Sequence, residues 1–399
     1  MNRVGGNVTD LCWVIDEAIP LTPALTPLLG NVRLLPGRDI GPAVVENADV
    51  LLVRSVTQVD ETLLAGSAVR FVGTATAGVD HLDVAALARL DIPWASAPGS
   101  NATAVVEYVL SAIAMSGYFE SILCGAPVGI VGLGAVGGQV AQRLLSLGCQ
   151  VVGYDPLVTH WPTGVLRGDL KEVLSQTVVS LHASLHDQAP FASQGLIGVG
   201  EAEGMIAASA TRPQAGLLIN AGRGGLLEPR ALECLLAGPW ATVLDTWTTE
   251  PYLDATLLAQ CDWVSPHIAG HSRAAKRRGS NMLARAVAQW CDQIDLARPS
   301  IRANEALQDE TSPKVTTLVC DPSEAPAEVM ARFLCGSGVL ARENSRLRQA
   351  AAPHVTSEVF DQLRRSYEQP LEWTGAQVHA PAGSTAIVSA LQCLGVTPI

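Results

Sequence analysis

Lysine is scarce in this sequence of 399 residues, since only Lys171, Lys276 and Lys314 are lysines among 26 basic residues. Covalent catalysis through a side-chain amine therefore has few candidates. The 38 acidic residues give a formal net charge of −12, which argues against sequence-independent binding of nucleic acid. Charged residues make up 16% of the chain and hydrophobic ones 48%, a balance that excludes a disordered or fibrous protein.

Long apolar runs are also missing. The most apolar stretch, from Ala104 to Phe119, is interrupted by Glu107 and is shorter than the roughly 20 apolar residues of a membrane helix. The first residues, MNRVGGNVTD, lack the apolar core of a signal peptide. Nine cysteines stand singly without a CxxC pair, which indicates reduced thiols in a cytoplasmic protein rather than a disulfide framework.

Short apolar runs alternate with helical stretches over the first 290 residues. A first series of strand-like runs is followed by a long amphipathic segment from Asn101 to Phe119, which predicts a helix, and then by a second series. Such an alternation predicts parallel sheets covered by helices, and two successive series predict two α/β domains with a cleft between them. The predicted strands lie at 11–15, 50–54, 70–74 and 92–96, and then at 128–132, 149–154, 177–182, 216–220, 241–245 and 263–265.

The composition changes after Trp290. Residues 297–313 are polar and contain proline, which is typical of a linker. Beyond them the pattern predicts a strand at 314–319 and helices at 326–334, 357–368 and 384–395. These elements suffice for a small α/β module.

A glycine-rich turn of the form GxGxxG, built by Gly132, Gly134 and Gly137, follows the predicted strand at 128–132. Glycines in this arrangement permit a tight turn, the approach of a pyrophosphate to the backbone, and close packing of helix on strand. The next strand ends in Asp155, 18 residues past Gly137, where a carboxylate would bind ribose hydroxyls and repel a 2′-phosphate. No arginine follows Asp155, so the pattern favours NAD over NADP. The alternative is a glycine-rich turn in a domain without a cofactor.

Three residues, Arg223, Glu250 and His267, follow predicted strands of the second series, where open α/β sheets bind ligands. Arginine offers a planar fork for a carboxylate, histidine can take a proton from a hydroxyl near neutral pH, and a glutamate can orient that histidine. In this order, after a dinucleotide site, they indicate hydride transfer from a 2-hydroxy acid. Taken singly, each is open to a purely structural interpretation.

Histidine pairs with HxxxH spacing, His182 with His186 and His267 with His271, raise the alternative of a metal site. That spacing places two imidazoles on one face only when it lies on a helix. Both pairs follow predicted strands and no HExxH motif is present, so we expect no metal.

With these motifs, residues 11–290 resemble the D-isomer-specific 2-hydroxyacid dehydrogenase family. The strings VRSVT and TATAGVDH, and FDQLRRSYEQPLEW near the C-terminus, resemble one member that acts on a small phosphorylated 2-hydroxy acid. The resemblance implies a Rossmann-type NAD-binding domain at 99–265, a flavodoxin-like substrate domain at 1–98 and 266–290, and a small C-terminal α/β dimerisation domain at 291–399. It also implies a homodimer.

The resemblance implies roles for single residues as well. Catalysis falls to Arg223, Glu250 and His267, with His267 as the acid–base group. Substrate contacts fall to Ser55 and Thr76, and the strand-end position of Arg54 adds a cation for a phosphate. Which end of the substrate these groups hold is left open. The implied cofactor contacts are Gly132, Gly134, Ala135, Val136, Gly137, Asp155, Ala221, Asp245 and Gly270.

The sequence departs from the family pattern at two places. Ala183 and Ser184 stand where a Thr–Pro pair is usual, and His271 stands where the similar member often has tyrosine. A cofactor contact at the first place and a substrate contact at the second are left open. Two other functions also remain: another dehydrogenase of the family, of phosphoglycerate or glyoxylate type, and a non-catalytic NAD-sensing corepressor on the same scaffold.

Overall fold

The computed structural model describes residues 6–300, 315–317, 321, 323–370, 372–379 and 384–398. Contacts divide the chain into two units. The first contains the described residues up to 101 and those from 272 to 300, and the second contains residues 102–271 and those from 315 onward. Most of the predicted linker at 297–313 lies outside the described residues. The separate domain at 291–399 stays a prediction.

The first unit holds a five-stranded parallel sheet with the order β2-β1-β3-β4-β5, which is the predicted flavodoxin-like order. Four strands were predicted; β2 was not, because it is an exposed edge strand without a continuous apolar run. The elements are β1 (Cys12–Asp16), β2 (Asn31–Leu35), β3 (Val50–Val53), β4 (Phe71–Thr74) and β5 (Trp94–Ala95), with α1 (Pro42–Val45), α2 (Glu61–Leu64), α3 (Val84–Arg89) and α11 (Arg273–Gln293).

The long helix α11 closes one apolar cluster of this unit. Its buried Leu283 and Val287 belong to the same cluster as the strand residue Phe71, whose ring lies 5.3 Å from that of Trp290 between centroids. Ser272 begins the helix by accepting a hydrogen bond from the Ala275 N–H at 2.9 Å. The packing therefore explains why this helix groups with the first sheet although it follows the second in sequence.

The second unit holds seven parallel strands in the order β13-β11-β10-β9-β6-β7-β8, the Rossmann order extended by one strand. The central strands are buried throughout, as expected for apolar strands covered on both faces. The strands are β6 (Val128–Val131), β7 (Val151–Tyr154), β8 (Leu166–Arg167), β9 (Val178–Leu181), β10 (Gly216–Asn220), β11 (Trp240–Leu244), β12 (Leu253–Asp254) and β13 (Trp263–Val264).

The helices of this unit include the amphipathic segment predicted from Asn101 to Phe119. The helix ends earlier, at Met115, and Gly117 adopts a φ of +77° before a second short helix begins. None of the described helices is long and apolar enough to cross a membrane. The helices are α4 (Ala102–Met115), α5 (Phe119–Leu123), α6 (Gly137–Ser146), α7 (Leu170–Leu174), α8 (Val199–Ser209), α9 (Pro229–Ala237) and α10 (Ala255–Gln260).

The C-terminal segment packs onto this second unit and shares its apolar core. Val329 and Leu334 belong to the same buried cluster as Val109 and Ile113 of α4. The three predicted helices are present, whereas one further helix and three short strands were not predicted. The elements are α12 (Pro326–Cys335), α13 (Val339–Ala350), α14 (Ser357–Arg365) and α15 (Thr385–Cys393), with β14 (Val315–Thr317), β15 (His354–Val355), β16 (Gln377–His379) and β17 (Thr397–Pro398).

A buried carboxylate joins α4 to this segment. Glu107 is 7% exposed and accepts hydrogen bonds from the N–H groups of Trp373 at 3.0 Å and Thr374 at 2.8 Å. Burial raises the pKa of Glu107 to about 7, although the two hydrogen bonds act in the opposite direction. Between its ordinary value of 4.5 and about 7, the folded protein therefore holds a proton that the unfolded chain releases.

We expect Glu107→Gln to remove this pH dependence, because glutamine cannot ionise. The contribution of Glu107 to stability falls as the pH rises from about 4.5 to about 7. The melting temperature of the variant relative to the natural chain should thus increase from pH 5 to pH 8. Thermal unfolding at the two pH values measures it, and Glu120→Gln, at an exposed position of α5, is the control. Identical pH dependence of all three proteins would contradict the assignment.

Candidate active site

The glycine-rich turn connects β6 to α6, as the sequence predicts. Gly132 has a φ of +86°, and a Cβ there would collide with the backbone of Ala183, while one on Gly137 would collide with the carbonyl oxygen of Gly132. Gly134 is exposed, and a Cβ on it would meet nothing within 4 Å. Gly132 and Gly137 therefore allow the turn to pack closely against the neighbouring backbone. Gly134 leaves open space before α6. This arrangement fits a dinucleotide pyrophosphate.

Asp155 follows β7 and is half-buried beside this turn. One of its carboxylate oxygens accepts the Leu133 N–H at 2.7 Å, and the other accepts those of Leu157 and Val158 at 2.9 and 3.0 Å. The side chain thus fixes the glycine-rich turn against the end of β7. Its contact with a ribose stays a prediction.

Arg223 lies in the loop after β10, and Asn220 holds that loop in shape. The Asn220 amide donates to the Arg223 carbonyl at 3.0 Å and accepts the Gly222 N–H at 3.2 Å, while Arg223 Nη1 donates to the Gly222 carbonyl at 2.9 Å. Gly224 lies so close to the Trp247 backbone that a Cβ would collide with it. The loop that carries Arg223 is therefore packed against the loop that leads to Glu250. Asn220 was not predicted from the sequence, although an asparagine that ends an apolar strand is a usable signal.

Glu250 and His267 form the centre of the candidate site. Glu250 Oε2 lies 2.8 Å from His267 Nδ1, and Glu250 Oε1 accepts the Trp247 N–H at 2.7 Å. Burial raises the pKa of Glu250, but the charge and hydrogen bond of His267 and the Trp247 N–H outweigh it, so the pKa lies below the ordinary value. Because Nδ1 faces the carboxylate, Nε2 is the ring nitrogen that can exchange a proton with a substrate.

The backbone of His267 has a φ of +55°, in the left-handed region that a non-glycine residue seldom adopts. The buried Asp245 anchors the loop on both sides of it. One oxygen of Asp245 accepts the Ser265 hydroxyl at 2.5 Å and the Ile268 N–H at 2.8 Å, and the other accepts the Ala269 N–H at 2.9 Å. The carboxylate thus acts as a positioning group for the histidine. The carboxamide contact assigned to Asp245 stays a prediction.

The other predicted cofactor residues occupy loops at the same ends of the strands. Ala135 is exposed and Val136 half-buried just before α6, and Ala221 and Gly270 are half-buried after β10 and β13. Their contacts stay predictions. Ala183 is one of the positions at which the sequence departs from the family pattern. Its backbone lies against Gly132, and this packing implies no contact of its side chain with a cofactor.

His182 and His271, two of the histidines with metal-like spacing, contact other side chains. His182 Nε2 lies 2.8 Å from the Ser180 hydroxyl, and burial lowers the pKa of His182 to about 4. His271 Nε2 lies 3.5 Å from Arg364 Nη2. Among the described residues, no three His, Cys, Asp or Glu side chains gather in a way that could hold a metal ion.

The predicted substrate residues belong to the first unit. Arg54 and Ser55 directly follow β3, and Thr76 lies two residues past β4, which pairs with β3. The Thr76 hydroxyl donates to the Gly78 carbonyl at 2.8 Å and lies 2.7 Å from the Thr74 hydroxyl. Arg54, Ser55 and Thr76 thus follow the ends of two neighbouring strands, and their contact with a substrate stays a prediction.

Asp16, which the sequence analysis does not single out, ends β1 at the same edge of that sheet. Burial raises the pKa of Asp16, and the hydrogen bond from the Ala18 N–H acts against it, as do the charges of Arg54 and Lys276. Asp16 ends an apolar strand, and that position was an available signal.

A model of the D-isomer specific 2-hydroxyacid dehydrogenase catalytic domain matches residues 38–302. The chain belongs to this family. The dehydrogenase class and the NAD cofactor predicted from the sequence are those of the family and are confirmed with it. The family match also covers the glycine-rich turn and the loops that carry Arg223, Glu250 and His267.

The similarity to curated relatives also includes the C-terminal segment. The chain is 37% identical to an erythronate-4-phosphate dehydrogenase of Marinomonas sp. (strain MWYL1), over 89% of this chain and 91% of the relative. It is 35% identical to an enzyme of the same name from Pseudomonas putida (strain GB-1), over 96% and 98%. The residues after 302 therefore lie outside the family model but within the second match.

Solved structures share the fold over about three quarters of the chain. A protein from Thermus thermophilus matches with a TM-score of 0.60 at 22% identity, covering 73% of this chain and 99% of that one. NAD-bound 3-phosphoglycerate dehydrogenase of Entamoeba histolytica matches with a TM-score of 0.55 at 18% identity, covering 74% and 98%. At these identities the likeness concerns the fold alone.

Proposed function

We propose that this dehydrogenase oxidises the 2-hydroxyl of 4-phospho-D-erythronate with NAD and gives 2-oxo-3-hydroxy-4-phosphobutanoate. The hydrogen-bonded pair of Glu250 and His267 carries the proposal, because it provides an oriented base. The choice of substrate is supported by the relatives, whose match runs through nearly the whole chain. The reaction belongs to vitamin B6 (pyridoxal 5′-phosphate) biosynthesis.

Each residue of the site has a distinct part in this reaction. Arg223 binds the substrate carboxylate through its planar guanidinium group. Neutral His267 takes the proton of the C2 hydroxyl, and ionised Glu250 stabilises the imidazolium that forms. When bound at the glycine-rich turn, NAD supplies the acceptor for the hydride that leaves C2. The proton and the hydride together account for the two hydrogens lost by the alcohol.

A panel of substrates tests this function. 4-Phosphoerythronate should exceed unphosphorylated erythronate by on the order of 10²–10⁴ in kcat/KM, because a charged, hydrogen-bonded contact set contributes several kcal/mol. 3-Phosphoglycerate and glycolate, in the same assay of NADH formation, distinguish the other dehydrogenase types. Absence of turnover with every acid would instead favour the NAD-sensing corepressor. If erythronate reacts as well as its phosphate ester, the proposed substrate is wrong.

The position of Asp155 leads us to expect a strong preference for NAD over NADP. Its carboxylate lies beside the glycine-rich turn and would repel a 2′-phosphate. Asp155→Asn should narrow the ratio of kcat/KM for the two cofactors, since it removes the charge and retains an oxygen acceptor. The ratio is measured for both proteins by steady-state kinetics. A natural chain that uses both cofactors equally well would refute this role of Asp155.

We further infer a cytoplasmic homodimer. The eight cysteines that the structure describes are free, which is consistent with a reducing compartment. The C-terminal segment from 291 to 399 is the proposed dimer contact. Light scattering of the full chain over a range of concentrations should give twice the mass of one chain. Truncation is a poor test, because Val329 and Leu334 complete the core of the second unit.

A further inference from the structure

Arg364, on α14 of the C-terminal segment, lies beside the loop that carries the acid–base histidine. Its Nη2 is 3.5 Å from Nε2 of His271, which follows His267 by four residues. Its charge also helps to lower the pKa of Glu250. A cation from outside the family model therefore lies beside the loop that carries His267.

Helix α14, which bears Arg364, is held in place by buried aromatic residues and by a hydrogen bond at its start. Phe360, one turn earlier, is 2% exposed, and its ring lies 5.7 Å from the Arg364 guanidinium carbon. The Thr356 hydroxyl accepts the Val359 N–H at 3.4 Å at the start of the helix. Tyr367 is buried, with its ring 6.4 Å from that of His271 between centroids. Arg364 is half-buried in this setting, whereas the next residue, Arg365, is exposed.

We propose that Arg364 binds the terminal phosphate of the substrate and determines specificity for phosphorylated 2-hydroxy acids. This inference rests on the proposed function. A substrate with a carboxylate and a phosphate needs two separate cationic groups on a chain whose net charge is −12. If Arg223 binds the carboxylate, Arg364 supplies a further fork for the phosphate besides Arg54, the cation predicted for it from the sequence, and a guanidinium matches phosphate oxygens in bidentate geometry. His271 Nε2, 3.5 Å from Arg364 Nη2, accepts from the guanidinium group and helps to orient it.

The location of Arg364 in the chain agrees with this role. A feature common to dehydrogenases of 2-hydroxy acids should lie within the matched family region, 38–302. A feature that selects one substrate class can lie beyond it. Arg364 lies in the part of the chain that is matched by relatives named for a phosphorylated substrate and is not covered by the family model.

The test compares Arg364→Gln with Arg365→Gln, which removes the same charge one position along the helix. We expect Arg364→Gln to lower kcat/KM for 4-phosphoerythronate by about 10²–10³-fold, mainly through KM, and to lower kcat/KM for erythronate by far less. Arg365→Gln should alter neither rate. Arg364→Lys should restore part of the loss, because it keeps the charge but not the fork. Competitive inhibition of the natural chain by inorganic phosphate should weaken in Arg364→Gln, and melting temperatures verify folding.

The outcomes separate the inference from the function on which it rests. If the natural chain prefers the phosphate ester and Arg364→Gln behaves like the control, the inference is overturned and the proposed function stands. If Arg364→Gln slows both substrates equally and shifts the pH–rate profile, Arg364 is a positioning group for Glu250, which also overturns the inference. If the natural chain shows no preference for the ester, the proposed function itself fails.

Discussion

His267→Ala should lower kcat by about 10²–10⁴-fold, the range that a general acid–base group contributes. The reason is geometric as well as chemical. Nδ1 is engaged with Glu250 at 2.8 Å, so the ring presents Nε2 to the substrate hydroxyl in one orientation. Alanine removes the base and leaves the glycine-rich turn and Asp155 untouched. The affinity for NAD should therefore stay within about two- or three-fold of that of the natural chain, and quenching of protein fluorescence measures it. Such a change is small, because a tenfold change in affinity corresponds to about 1.4 kcal/mol.

Glu250→Gln is the companion variant. It keeps the shape of the side chain and removes the negative charge next to His267. The protonated imidazole then loses its stabilising neighbour, so the rising limb of the pH–rate profile for alcohol oxidation should move to lower pH. We expect a smaller fall in kcat than for His267→Ala. An unchanged profile in Glu250→Gln would show that the two residues do not act as a pair.

Asp245→Ala should destabilise the protein and also slow the reaction. The carboxylate is 1% exposed and accepts three hydrogen bonds, from Ser265, Ile268 and Ala269. Each buried donor left without an acceptor costs about 1–3 kcal/mol, so unfolding by urea should show a loss of at least about 3 kcal/mol. The loop that holds His267 at its unusual φ would lose its anchor, and kcat should fall with it.

Asp262→Ala is the matched control for Asp245→Ala, since its exposed carboxylate accepts a single backbone N–H, from Thr242 at 2.8 Å. A loss of about 1–3 kcal/mol, the cost of one buried donor instead of three, is expected there. The affinity for NAD separates the two roles of Asp245. If Asp245→Ala keeps its stability and kcat while binding NAD poorly, the residue is a cofactor contact and not an anchor of the loop.

Local features of the fold were predictable from the sequence, and long-range ones were not. The apolar runs at 128–132, 177–182 and 216–220 coincide with the buried strands β6, β9 and β10, because a strand covered on both faces must be apolar throughout. The glycine-rich turn was equally accessible, since its tight turn and close packing depend on adjacent residues. Edge strand β2 was not predicted, because its side chains face solvent rather than a helix and so form no continuous apolar run.

The sequence by itself therefore determined the two parallel sheets, the dinucleotide turn, and the order Arg223, Glu250, His267 after successive strands. Each of these depends on residue type and spacing within about 20 positions. Only the tertiary structure decided that Asp245 anchors the histidine loop and that Arg364 lies beside His271, 93 positions away in sequence. The physical reason is that such contacts arise when distant segments pack on one core, and their polar partners are selected by that packing rather than by any local pattern.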